Sequence, residues 1–158
     1  MKDNEWEFGV EPAVAAKCSL DDPRKVNSLQ DIVTKARAIA KTKMSAITIL
    51  DEDTQWIIAR EGVDVERTPR AHSFCQYTIF RPGVPMIVAD ARHDPRFADN
   101  PMVLADSGVR FYAGVPLVDS SGYALGALCV ADPAPRAHFS QMLDLVELAK
   151  RAERTICR

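Results

Sequence analysis

Ser73-Phe74-Cys75-Gln76-Tyr77-Thr78-Ile79, Met86-Ile87-Val88, Val109-Arg110-Phe111-Tyr112-Ala113-Gly114-Val115-Pro116-Leu117 and Leu125-Gly126-Ala127-Leu128-Cys129-Val130-Ala131-Asp132 are the four pieces of the stretch 72–132 that decide the fold. They read as a short aromatic helix, a brief strand and, after a loop punctuated by Pro and Asp, two long apolar strands over 109–118 and 123–131. Asp119-Ser120-Ser121-Gly122 joins the two strands as a hairpin turn, with glycine where positive φ is affordable. Gly114 and Gly126 interrupt the strands, which marks a bulge or a close backbone approach. A helix, a strand, a long loop and a hairpin in that order predict an antiparallel sheet with a small cavity on one face, the layout of a sensor pocket.

Local chemistry sharpens this middle region. Ser73 stands three residues before Gln76, the spacing of a capping box, so the short helix is expected to start at Ser73 and to stop at Arg81-Pro82-Gly83. Asp94-Pro95 and Asn100-Pro101 each pair a capping side chain with a first-turn proline, which predicts two short helical turns in the loop. Both turn starts are capped by their own side chains, which weakens a reading of either as an anion site.

Outward from there, Asp21 or Asp22 caps a helix opened by Pro23. Val26, Leu29, Ile32, Val33, Ala36, Ile39 and Ala40 form its core-facing stripe. The period changes to two from Met44 to Leu50, with Ser45, Ile47 and Ile49 on one side and Ala46, Thr48 and Leu50 on the other. Asp51-Glu52-Asp53-Thr54 turns this strand into a hairpin partner over 55–60, and the three acids read as a solvated tip rather than a cation site. Residues 61–70 read as a loop broken by Gly62 and Pro69. Ser140 caps a last helix with Met142, Leu145, Ala149, Ala152 and Ile156 at three- and four-residue steps. Residues 1–20 form an N-terminal arm, lying over the domain or partly disordered, and 21–158 a single domain.

The whole chain of 158 residues is about one domain in length, and 47% apolar with 27% charged residues is enough for an ordinary core. A formal charge of -2, with Lys and Arg dispersed, provides no field for nucleic acid or an anionic membrane. No apolar run approaches the roughly 20 residues of a bilayer span, and the acidic N-terminus is unlike a signal peptide, so the expected location is the cytoplasm. Cys18, Cys75, Cys129 and Cys157 are far apart and lack CxxC spacing, as reduced thiols do. His72 and His93 have no partners at ligand spacing, so no metal site is expected.

These residues resemble the GAF domains, small α/β modules of signalling proteins. The likeness rests on the aromatic helix and the two long strands quoted above together with Val88-Ala89-Asp90-Ala91, Asp94-Pro95-Arg96-Phe97 and Asn100-Pro101, and it extends over about residues 20–157. It implies an α+β fold: a central antiparallel sheet of five to six strands, terminal helices on one face, and a ligand cavity with short helices on the other. Carried over by matching motif, the cavity lining would draw on Phe74, Cys75, Tyr77, Asp90, Phe97, Phe111, Tyr112 and Cys129. Period two forbids Phe111 and Tyr112 from both facing it, and the pattern leaves open which does. The family often has His where this chain has Tyr77.

The subgroup it is most similar to precedes histidine kinases of two-component systems or cyclic-di-GMP synthase and hydrolase modules. No such module is present here, so the chain reads as a free-standing sensor or an excised input domain. The resemblance implies a non-catalytic sensor that binds an unidentified small molecule and signals as a homodimer through the helices over 26–40 and 142–156. It names no cofactor. The Asn-Lys-x-x-Asp type of signature of nucleotide-binding members is absent, as is the Cys followed by His of bilin-linked members. Two rivals remain. One is a thiol-redox enzyme resembling the free methionine-(R)-sulfoxide reductases, with Cys75 attacking and Cys129 resolving if folding brings them close. The other is a pocketless module that only pairs subunits.

Overall fold

Asp22 opens the fold by accepting the Arg24 N–H at 2.9 Å, immediately ahead of the proline that starts helix α1 (Pro23–Ala40). This computed structural model describes Leu20 and residues 22–156. The arm assigned to 1–20 therefore lies outside the described residues, apart from Leu20, which is buried in the core. Cys18 and Cys157 lie outside them too.

From α1 the chain enters β1 (Met44–Leu50) and β2 (Thr54–Glu61). Asp51 makes the turn between them: its carboxylate accepts the Asp53 and Thr54 N–H groups at 3.0 and 2.8 Å and the Trp56 indole N–H at 2.8 Å. The region 61–70, expected as a loop, contains a short strand, β3 (Arg67–Pro69), paired with the start of β2. Its brevity and Pro69 hid it, and proline is tolerated there because β3 is an edge. Then come α2 (Cys75–Thr78), β4 (Met86–Val88), α3 (Pro101–Leu104), β5 (Phe111–Val118), β6 (Ala124–Asp132) and α4 (Met142–Ile156). Helix α4 begins one residue later than a Ser140 cap would place it, with the Leu145 N–H on the Gln141 carbonyl at 3.1 Å.

All neighbouring strands are antiparallel, in the order β3-β2-β1-β6-β5-β4, so six strands form the sheet. One face is covered by α1 and α4, which bury Leu29, Ile32, Val33, Ala36, Leu145, Ala149 and Ala152 against Ile47, Ile49, Phe111, Leu128 and Val130. The other face carries a second cluster under α2, α3 and the 89–110 loop. With both faces covered, β1 is buried along its middle and the period-two pattern survives only as a choice of core: Ile47 and Ile49 go to the helices, Ala46 and Thr48 to the short-helix side.

The pairing of β1 with β2 slips between Ile47 and Thr48, because Ile47 faces Ala59 while Thr48 faces Ile57. The extra residue, Ile58, bends β2 and lets Trp56 and Ala59, three apart, share the helix-side core, while Gln55 and Ile57 face the opposite cluster.

Candidate functional site

The short-helix side of the sheet does not pack solid. A cavity of about 100 Å³ lies there, walled by Ala46 and Thr48 of β1, Gln55 and Ile57 of β2, Tyr112 of β5 and Cys129 of β6, and covered by Phe74, Cys75 and Met102. No charged side chain lines it among the described residues.

Two hydroxyls and two thiols meet at one end. Tyr112 Oη lies 2.9 Å from Thr78 Oγ1 and 3.2 Å from Cys75 Sγ, tying both ends of α2 to the sheet. Gly114 makes this reach available: a Cβ there would overlap the Tyr112 hydroxyl. Gly114 is also the cross-strand partner of Cys129, whose thiol the phenol hydroxyl reaches as well as that of Cys75. The Cys75 thiol is held below the ordinary thiol range, first by its hydrogen bond with the Cys129 thiol and further by the Thr48 and Tyr112 hydroxyls, against the opposing effect of burial. Cys129 is pushed well above that range by the same hydrogen bond, by burial and by the charge of Cys75. Burial is the first cause that raises Tyr112 well above the ordinary phenol range, and the cysteine sulfurs beside it act in the same direction.

At the other end is Gln55, only 7% exposed. Its Nε2 donates to Thr68 Oγ1 at 3.0 Å, while its Oε1 is buried with no hydrogen-bond partner among the described residues.

A family model of the GAF domain matches residues 26–156. The chain belongs to the GAF domain family. The sensory and regulatory fold of that family is the one described above. A cyclic di-GMP phosphodiesterase of Pseudomonas aeruginosa is 45% identical over 112 residues, 71% of this chain but only 19% of that protein, so the chain spans about a fifth of that relative. Among solved structures, the free methionine-R-sulfoxide reductase of Neisseria meningitidis, in complex with its substrate, superposes with a TM-score of 0.67 at 21% identity, covering 92% of this chain and 84% of that one. The GAF domain of an Acinetobacter phosphoenolpyruvate-protein phosphotransferase gives 0.62 at 18% identity, covering 93% and 94%. At such identities the two structures establish the GAF fold alone.

Within this GAF domain the eight residues expected to line the cavity separate into three groups. Phe74, Cys75, Tyr112 and Cys129 are on its wall. Phe97 and Tyr77 stand one ring behind it: Phe97 stacks on Phe74 at 4.2 Å, Tyr77 meets Phe97 edge-on at 5.1 Å, and Arg96 lies over Phe97 at 5.0 Å. Phe111 and Asp90 are elsewhere. The pleat sends Tyr112 to the cavity and Phe111 to the helix-side core, against Phe139 at 5.2 Å and under Arg136 at 5.3 Å.

Asp90 instead caps the 3-10 turn Ala91–His93, accepting the Arg92 N–H at 3.1 Å and the Arg92 guanidinium at 2.7 and 3.0 Å. The first proline-capped turn follows similarly, with Asp94 accepting the Arg96 N–H at 3.0 Å. The second is α3, capped by Asn100 on the Met102 N–H at 2.8 Å. The capping box at Ser73 is half made: Ser73 Oγ accepts the Gln76 N–H at 3.2 Å, but the Gln76 side chain donates to Ala71 O, and α2 begins at Cys75.

The Arg92 hydrogen bond lowers the Asp90 pKa to about 2, below the ordinary carboxylate value of about 3.9 expected in the unfolded chain. Asp90 therefore stabilises the fold above that unfolded value, and the contribution disappears as pH falls through about 2. Urea midpoints of the wild type and Asp90→Asn, which keeps the cap but not the charge, should differ at neutral pH and converge between about pH 4 and pH 2.

Sequence reasoning missed Gln55, Thr48 and Met102 as wall residues. The two-residue period of β1 placed Thr48 opposite Ile47, but no local signal distinguishes a cavity wall from a packed core.

Proposed function

We propose that this GAF domain is a non-catalytic sensory module that binds a small, largely apolar molecule bearing a hydrogen-bond donor, and that it signals through α1 and α4 in a homodimer. Gln55 carries the reading. A buried acceptor left unpaired costs about 1–3 kcal/mol, and one held in the wall of an apolar cavity is the arrangement a donor-bearing ligand completes. The cavity volume of about 100 Å³ suits something the size of a small ring, given that a dry cavity of about 150 Å³ takes benzene. An uncharged wall is ill matched to cyclic nucleotides and to a zwitterionic amino-acid sulfoxide, which favours the sensor over the reductase reading.

The route outward is short. Strands β1 and β6 present Ala46, Thr48 and Cys129 to the cavity and Ile47, Ile49, Leu128 and Val130 to the terminal helices, so a ligand that moves these strands moves the seats of α1 and α4. The output partner in this reading is a cyclic-di-GMP module in the cytoplasm, as the similarity to the phosphodiesterase suggests, or a histidine kinase.

The test is native mass spectrometry of the chain purified from its own cells, alongside Gln55→Leu. The wild type should be a dimer retaining a small molecule that denaturation releases. Gln55→Leu should retain at least tenfold less, the effect of losing about 1.4 kcal/mol or more of binding. The same variant should be more stable than the empty wild type by about 1 kcal/mol in urea, because it removes an unsatisfied acceptor. An empty wild-type dimer, or equal retention by the variant, overturns the ligand reading; an empty monomer overturns the signalling model as well.

A further inference from the structure

The six-stranded sheet has two outer edges, and the chain treats them differently. Edge strand β3 carries Arg67 and Pro69. The stretch of β5 that runs past β4 is closed by Pro116, which has no N–H, and by the Glu153 carboxylate, which accepts the Val118 N–H at 2.9 Å. Charge and proline are the usual guards against the addition of a further strand. Strand β4 has neither. Met86-Ile87-Val88 is wholly apolar, Ile87 is 47% exposed, and Val84 and Phe80 ahead of it are 47% and 67% exposed.

The backbone groups that β4 leaves open follow from the pairing. Successive residues of an antiparallel strand turn their N–H and C=O to alternate sides. Pro116, with no N–H, and Val118, whose N–H goes to Glu153, mark the even-numbered residues of β5 as those facing away from β6. Tyr112 and Gly114 therefore bond their partners Val88 and Met86, and the N–H and C=O of Ile87 between them point outward. No turn or loop bonds them among the described residues. Two features bound this window. Pro85 has no N–H to offer, and the Ala89 C=O is filled by the Arg136 N–H at 3.0 Å. The Ile87 side chain shares the helix side of the sheet with its partner Ala113, whereas Met86 and Val88 pack on the cavity side.

We infer that β4 is an interface for a second copy of this chain, added edge to edge about a two-fold axis at Ile87, so that two six-stranded sheets become one. Antiparallel self-pairing at that register sets Ile87 against the partner's Ile87, with two N–H···O=C bonds exchanged between them, and Pro85 against the partner's Ala89. This outer pair selects a second copy over an arbitrary strand. An ordinary residue facing Ala89 would bring an N–H to a carbonyl that Arg136 already occupies, whereas Pro85 brings none and its C=O accepts the exposed Ala89 N–H. The two Ile87 side chains meet on one face as a cross-strand pair. Asp90 and Arg92, just past the strand, are paired with each other at 2.7 Å, so like charges do not meet at the axis. This surface is separate from the seam of α1 and α4, and its use does not depend on a bound ligand. A contact this short belongs to the transient end of the interface range.

Sedimentation velocity of the full chain, carried from micromolar to millimolar concentration, reads the assembly. Ile87→Lys is the comparison: its side chain is already half in solvent, so the fold tolerates the change, but two lysines would meet at the axis. At the highest concentration the wild type should reach twice the mass of Ile87→Lys, whose edge-to-edge association should be at least tenfold weaker. A second measurement needs no variant. In a mixture of carbon-labelled and unlabelled chains, Met86 and the partner's Val88 form a pair whose Cα atoms come about 4.5 Å apart, so an isotope-filtered NOE should join their α protons. Equal masses at every concentration, including a dimer in both proteins that the seam of α1 and α4 alone would give, overturn the inference. Association without the contact between Met86 and the partner's Val88 overturns it as well. Neither readout depends on whether a metabolite is retained in native mass spectrometry.

Discussion

Phe97→Ala should cost about 3–5 kcal/mol of stability, a large share of the roughly 5–15 kcal/mol that holds a domain of this kind together. Phe97 is fully buried, and its ring is the hub of the aromatic layer behind the cavity wall, stacked on Phe74 at 4.2 Å and met edge-on by Tyr77 at 5.1 Å. Truncation removes the transfer energy of the ring, leaves a void that rigid neighbours fill only in part, and forfeits aromatic contacts of about 0.5–1.5 kcal/mol each. The consequence for function is specific. Phe74 lies between Phe97 and Tyr112, so without Phe97 the ring covering the cavity loses its backing and the site loses its shape. Urea unfolding measures the stability loss, and Phe97→Leu, which keeps most of the volume, should cost about 1.5 kcal/mol or less. Similar midpoints for the alanine and leucine variants would mean that the aromatic layer does not support the site.

Gly126→Ala should be more damaging still, costing more than about 4 kcal/mol or preventing folding. The residue is in β6, directly across from Ile49 of β1, and an added Cβ would overlap the Thr48 carbonyl oxygen. The obstacle is backbone in the centre of the sheet, and Thr48 is itself a wall of the cavity, so no side chain can rotate away to relieve it. Gly83→Ala is the comparison: its φ of +89° makes alanine strained, but nothing stands within 4 Å, so about 1 kcal/mol is the expected cost. Circular dichroism with urea titration of the two variants separates them, and equal losses would show that the close approach of β6 to β1 is not what Gly126 serves.

Both of these positions were visible in the sequence, in different degrees. Gly126 stood out as a break in an apolar strand, and the close approach it marked is present. The signals that are short and local translated directly: Asp22-Pro23 and Asn100-Pro101 start helices because a side-chain oxygen and a proline satisfy the first turn without help from elsewhere. Strand β1 has the bounds its periodicity indicates. What the chain hid depends on pairing. Three residues ending in Pro69 become strand β3 only because the edge of β2 is available to them. The slip that leaves Ile58 unpaired, and so turns Gln55 toward the cavity, arises between strands and has no mark of its own.

The candidate site was legible to about the same depth. Motif matching found Phe74, Cys75, Tyr112 and Cys129, which share the wall. It also offered Asp90, whose charge is absorbed by Arg92 and the turn it caps, and left Phe111 and Tyr112 to be separated by a pleat whose phase only the sheet fixes. Gln55 gave no warning, since a polar residue near the start of a hairpin strand is ordinary until its carbonyl oxygen proves to be buried alone.

If the cavity on the short-helix face takes a small molecule with a hydrogen-bond donor, as proposed, methionine methyl groups report on it directly. Met44 and Met102 line the cavity, whereas Met142 packs on the opposite face of the sheet. Carbon-labelled methionine methyl NMR, titrated with pyrrole and separately with furan, compares two flat rings of one shape of which only the first has an N–H for Gln55. The expected result is saturable shifts of Met44 and Met102 with pyrrole, much weaker ones with furan, and a still Met142. Silence at Met44 and Met102, shifts led by Met142, or equal responses to both rings would contradict it.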